Sequence, residues 1–136
     1  MAGSRLVDAG FLVAILSRRD FHHEWAVRQA SENPPPWYTC EAVLSEAWHL
    51  LGTGGAPGLR AMLSRRALVA KFNLDDNVEA VVGLLDKYST LPMSLADACL
   101  VRMTEIVPGP VILTTDSDFR IYRRHSRQLV PCILPR

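Results

Sequence analysis

The chain has 136 residues, with 15 basic and 14 acidic side chains and a formal charge of +1, which excludes a polycationic nucleic-acid coat and an acidic disordered tail. Its 49% hydrophobic content against 21% charged residues excludes disorder. A chain of this length buries about two-thirds of its unfolded surface, enough for one core without disulfide or metal staples, so 1–136 reads as a single domain.

Cys40, Cys99 and Cys132 are odd in number and form no CxxC pair. Reduced core thiols are expected rather than a disulfide framework or a thiolate zinc site. Near the N-terminus, Asp8 interrupts the apolar run, and the stretch Phe11–Leu16 falls far short of the roughly 20 residues that span a bilayer. A soluble, cytoplasmic protein is expected.

In chain order, residues 4–8 read as a short buried strand ending at Asp8, followed by a helix from Gly10 to Leu16. A second helix is predicted from about Asp20, its N-cap, to Ser31, and Pro34-Pro35-Pro36 ends it. Trp37-Tyr38-Thr39 reads as a strand. Val43, Leu44, Ala47, Trp48 and Leu51 recur at helical spacing over 41–51. Gly52–Gly58 is predicted to be a flexible loop. It is not a phosphate-binding P-loop, because no Gly-Lys-Ser/Thr follows. A helix over 59–66, a strand near 68–72 and a helix over 75–88 come next. Ser94 opens an almost wholly apolar helix to about Val107, which Gly109-Pro110 breaks. Val111–Thr115 is the clearest strand; 117–125 reads as a short helix and 129–134 as a last strand. Helices alternating with short, continuously apolar strands imply a parallel sheet between helix layers.

In such sheets, sites form beyond the carboxyl ends of the strands. Asp8 and Asp116 stand at two of those ends, and Asp118 lies two residues further on. Asp97 lies in the first turn of the apolar helix 94–107, and Glu46 near the edge of an apolar arc. Each acid alone has a bland role open to it. Asp97 sits in a capping-box position after Ser94, Glu46 fits a helix rim, and Asp116-Ser117-Asp118 fits a turn. Asp8 is the hardest to explain by structure alone. If the strand ends are adjacent, the carboxylates converge and repel. A hard divalent cation, Mg²⁺ or Mn²⁺, relieves that repulsion, and such a centre suits phosphodiester hydrolysis.

Five segments, in order, resemble the PIN-domain ribonucleases, and more closely the VapC-like toxins of bacterial toxin–antitoxin pairs. They are LVDAGFLVAIL at 6–16, DFHHEWA at 20–26, VLSEAWHLL at 43–51, KYSTLPMSLADACLV at 87–101 and ILTTDSDF at 112–119. The resemblance implies a three-layer α/β/α sandwich around a mainly parallel sheet and a metal-dependent endoribonuclease activity. It matches Asp8, Glu46, Asp97 and Asp116 to the family's acidic quartet, with Asp8, Asp97 and Asp116 holding Mg²⁺ or Mn²⁺. Thr114 matches a supporting hydroxyl residue. Asp118 matches an additional acid, although one residue separates it from Asp116 where the family commonly has two. An RNA substrate, a cognate antitoxin and a homodimer are the implied partners.

Residues up to 118 carry 10 basic and 14 acidic side chains, whereas the rest carry five arginines and no acid. Arg120, Arg123, Arg124 and Arg127 fall at i, i+3, i+4 and i+7, so on a helix they would share one face and could hold RNA phosphates. A solvated flank or a docking face for an acidic antitoxin tail competes with that reading. The adjacent His22 and His23 fit helix capping or packing better than metal binding, and Trp25, Trp37 and Trp48 are expected in the core. Two alternatives remain open: a PIN-type nuclease of RNA processing, and a non-catalytic receiver-like module. A receiver needs a lysine near its aspartates, and neither Lys71 nor Lys87 ends a late strand.

Overall fold

The computed structural model describes residues 3–136. Five short strands, β1 (Arg5–Val7), β2 (Trp37–Thr39), β3 (Leu68–Ala70), β4 (Val111–Leu113) and β7 (Cys132–Ile133), form one parallel sheet in the order β3-β2-β1-β4-β7. Buried Leu6, Val7, Leu68, Ile112 and Leu113 explain why these strands carry no polar alternation. The helices α1 (Ala9–Leu16), α2 (His23–Glu32), α3 (Glu41–Ser64), α4 (Val78–Lys87) and α5 (Leu95–Ile106) cover the sheet. Among the described residues, no helix is long and apolar enough to cross a membrane.

The strand order locates the site. From β1 the chain moves to one side through β2 and β3, then returns to the other side of β1 as β4. The order therefore reverses between β1 and β4, where Val7 pairs with Leu113. At that switch point the connections leave in opposite directions and open a crevice at the carboxyl ends of the strands.

Three elements differ from the sequence-based expectation. The Gly-rich stretch 52–58 is not a loop: α3 runs on to Ser64, broken only where Gly52 adopts φ +59° and ψ −159°. Ala56, Leu59 and Met62 bury one side of the continuation, and Gly58 lies against Leu16 of α1. Tertiary packing thus overrides the poor helix propensity of glycine. Residues 117–125 do not form the expected helix. A 3-10 turn, Ser117–Arg120, leads into an antiparallel hairpin of β5 (Arg123–Arg124) and β6 (Gln128–Leu129). His125 and Ser126 turn the hairpin with φ of 47° and 68°, a left-handed conformation that a helix cannot contain. The expected last strand is accordingly split into β6 and β7.

Smaller shifts follow from capping. The strand expected over 111–115 ends at Leu113, and α2 begins at His23, with the Asp20 carboxylate accepting the His22 amide at 2.9 Å. The His23 ring pairs through Nδ1 with the Ala14 carbonyl at 2.7 Å, a packing role. Trp37 is buried, but Trp48 is 47% exposed and does not belong to the core. Cys40, Cys99 and Cys132 are free thiols.

Candidate active site

Asp8 follows the last residue of β1 and caps α1, accepting the Phe11 amide on Oδ1 at 2.9 Å. Its other oxygen accepts the hydroxyl of Thr114, which follows β4 and is fully buried. The same Thr114 oxygen accepts the Asp116 amide at 2.9 Å. One hydroxyl therefore ties the acid after β1 to the loop after β4. That loop continues as Asp116 accepts the Asp118 amide at 2.9 Å and caps the 3-10 turn.

Asp97 enters from the first turn of α5. Its amide donates to Ser94 Oγ at 3.0 Å, the cap expected from the sequence. Its carboxylate accepts the hydroxyl of Tyr122 at 3.0 Å. Tyr122 is a site residue the sequence reading missed. The available signal was the apolar spacing of Phe119 and Tyr122, both buried and packed edge to face after the acidic turn.

The electrostatics join these acids. Burial pushes the Asp8 carboxyl up to about 7, against hydrogen bonds from Thr114 and Phe11, and the charges of Asp116 and Asp97 push it the same way. Burial also raises Asp97, opposed by the Tyr122 hydroxyl, with Asp116 adding repulsion. The charges of Asp97 and Asp116 thus reach Asp8, and that of Asp116 reaches Asp97. Glu46 stands exposed on α3 and is not among the charges that act on Asp8 or Asp97. Asp118 is exposed beside the turn.

Among the described residues, no three His, Cys, Asp or Glu side chains stand close enough to enclose a metal ion as they are. The donor set still fits a hard cation. It is all oxygen, anionic and partly desolvated, and Mg²⁺ keeps several waters while taking only one or two carboxylates directly. Zinc would call for nitrogen or sulfur donors.

The basic strip is divided by the hairpin. Arg123 Nη1 donates to the carbonyls of Arg120, Ile121 and Tyr122 at 2.8, 3.0 and 3.1 Å, and its amide donates to the Tyr88 hydroxyl at 2.9 Å. Arg124 Nε is buried with no hydrogen-bond partner among the described residues. Arg127 is exposed beyond the turn, and Arg120 points into a groove between α2 and the segment after β7. The common helical face expected for these four arginines does not form.

Among solved structures, the chain is similar to the toxin VapC20 of Mycobacterium tuberculosis, described as a sarcin–ricin loop cleaving toxin. The two share 24% identity over 85% of this chain and 92% of that one, with a TM-score of 0.68. That likeness concerns the fold. No curated protein sequence matches the chain. The family model of the PIN domain, by contrast, matches residues 5–124, a span that includes both strand-end aspartates, Glu46 and the α5 acid. That match over most of the chain places it in the PIN-domain family.

Proposed function

We propose that the chain is a metal-dependent endoribonuclease, the toxin of a type II toxin–antitoxin pair, acting as one cytoplasmic domain. The observation that carries the reading is the hydrogen-bonded chain from Asp8 through Thr114 to Asp116 at the crevice between β1 and β4. Membership of the PIN family supports a nuclease. The described activity of the fold neighbour supports the toxin role and makes a sarcin–ricin loop oligonucleotide the first substrate to try. A cognate antitoxin is the corresponding partner. Exposed Trp48 and Leu50 on α3 support a homodimer through that helix.

Asp8, Asp97 and Asp116 would hold Mg²⁺ or Mn²⁺, directly or through water. When bound, the ion would stabilise charge developing on the phosphoryl oxygens and acidify water. Thr114 fixes Asp8 by donating its hydroxyl to one carboxylate oxygen. Glu46, exposed on α3, would orient the attacking water. Asp118 supports the rim of the site. Arg120 and Arg127, both exposed, supply positive charge for the RNA backbone, while Arg123 and Arg124 form the hairpin strand between them. Attack in line at phosphorus would break the bond to the 3′ oxygen and leave 5′-phosphate and 3′-hydroxyl ends.

The test is cleavage of an RNA panel with Mg²⁺, Mn²⁺ or EDTA, using the unaltered chain and Asp8→Asn, Asp97→Asn, Asp116→Asn and Glu46→Gln. New 5′-phosphate ends that need the ion and Asp8 are expected. Full activity of Asp8→Asn, or undiminished cleavage in EDTA, would overturn the reading. Growth arrest relieved by a co-expressed neighbouring antitoxin would separate a toxin from an RNA-processing nuclease.

A further inference from the structure

A groove of about 710 Å³ lies between α2 and the chain that leaves β7, at the edge of the sheet. Phe21 stands at it with 93% of its surface exposed, edge-on to the His22 ring at 4.9 Å. The groove is also cationic. Arg28, Arg120 and Arg136 line it against one acid, Glu24. The one ion pair among the described residues joins Arg102 to Glu105, so these three arginines enter none.

The groove adjoins the turn that follows Asp116 through Arg120. Arg120 closes the 3-10 turn that Asp116 caps. Its charge reaches across to the Cys132 thiol on β7.

We infer that this groove is a single-stranded RNA subsite beside the cleavage centre, with Phe21 stacking one base and Arg28, Arg120 and Arg136 holding phosphates. This rests on the ribonuclease reading above, and it names where the substrate strand lies. Three features favour RNA as the occupant. The unpaired positive charge matches a polyanion. The free aromatic face suits a base, because every base has a π-face to offer. Arg120, at the end of the turn that Asp116 caps, sets the groove beside the candidate site. The site replaces the single arginine face expected from sequence spacing: it keeps Arg120 and adds Arg28 and Arg136 from distant segments.

Binding of a fluorescein-labelled, mixed-sequence RNA 12-mer, followed by anisotropy in EDTA, tests the inference without relying on cleavage. Phe21→Ala should weaken binding about tenfold, and Phe21→Tyr, which keeps the ring, should restore it. Arg28→Gln should reduce the dependence of log affinity on log salt by about 0.7, one phosphate contact. Arg60→Gln, outside the groove, is the control. Phe21 and Arg28 are exposed, so these variants should fold, which circular dichroism checks. The inference is overturned if the unaltered chain does not bind the 12-mer, or if Phe21→Ala and Arg28→Gln bind it unchanged. It is equally overturned if those variants lose binding only to a labelled oligo-glutamate peptide, which would make the groove a protein-docking site. A chain that cuts RNA while its groove variants bind normally loses only this inference. A chain that binds RNA through the groove but never cuts it loses the nuclease reading instead.

Discussion

The hydroxyl of Tyr122 donates to Asp97 Oδ2 across 3.0 Å, joining the turn after Asp116 to the first turn of α5. Two segments 25 residues apart thereby share one polar contact at the edge of the crevice. The tyrosine ring is 1% exposed and packs against Tyr88 and Phe119, so the donor is held by the core rather than by solvent. Burial and the neighbouring carboxylates, in turn, raise the Tyr122 phenol and keep it a donor. Asp97 is therefore aimed by packing, as a ligand for an ion needs to be.

Tyr122→Phe keeps the ring and removes only this bond. Without the donor that holds it down, the Asp97 carboxyl shifts further up, so ionising it requires higher pH. Mn²⁺ affinity near neutral pH should fall on the order of tenfold, and the pH midpoint of Mn²⁺ binding should move upward. Isothermal titration across pH measures both. A purely structural tyrosine would lower the melting temperature and leave both quantities in place.

Thr114→Val removes the hydroxyl that serves Asp8 and the Asp116 amide together. Valine fills the space but leaves a buried carboxylate oxygen and a backbone N–H without that partner. The cost should be about 1–3 kcal/mol, read as a lower urea midpoint with an unchanged slope. In a cycle with Asp8→Asn the two changes should be non-additive, because they act on one bond. Additive effects would mean that Thr114 acts through packing alone.

Arg123→Ala and Arg120→Ala should separate structure from binding. The Arg123 guanidinium closes the end of the 3-10 turn through three carbonyls, so its loss should cost about 1 kcal/mol and loosen the hairpin. Arg120 makes no such side-chain bond among the described residues, so its loss should leave stability unchanged and flatten the salt dependence of RNA binding. Thermal melts and binding at several salt concentrations distinguish the two. Equal effects of both variants on stability and on the salt slope would contradict this division.

The acids were legible in the sequence for a physical reason. Asp8 interrupts a run whose other members are buried, and Ser94 announces the helix turn that carries Asp97; both are local signals. The parallel sheet was legible in the unalternating strands. The arginines were not, because spacing alone cannot say that residues 117–125 fail to form a helix. That outcome depends on His125 and Ser126 taking left-handed conformations and on Phe119 and Tyr122 entering the core. Tyr122 reaches Asp97, and Arg28 reaches the groove beside Arg120, only through tertiary placement, which no local pattern encodes. Gly52–Gly58 shows the reverse case, a loop-like composition held helical by packing against α1.

The stability of the ion-free chain should fall as pH rises. The Asp8 carboxyl lies near 7 in the folded chain against an ordinary 3.8, mainly through burial. Between those values the folded state holds a proton that the unfolded state has lost. Unfolding then gains stability relative to folding with each rise in pH. The contribution is fully present below the ordinary value and is lost as pH passes the folded one, at most about 4 kcal/mol. Asp97, raised in the same direction, adds to the trend. In EDTA the melting temperature should drop between pH 5 and pH 8, by about 3–5 °C per kcal/mol at this chain length. Asp8→Asn has no charge to bury, so it should flatten the fall and melt higher than the unaltered chain at pH 8. Mn²⁺ should restore the unaltered chain at pH 8 by binding only its folded, ionised form, and should do little for Asp8→Asn. A melting temperature that is flat with pH in EDTA, or equal rescue of both chains by Mn²⁺, would show that Asp8 is neither desolvated nor a metal ligand.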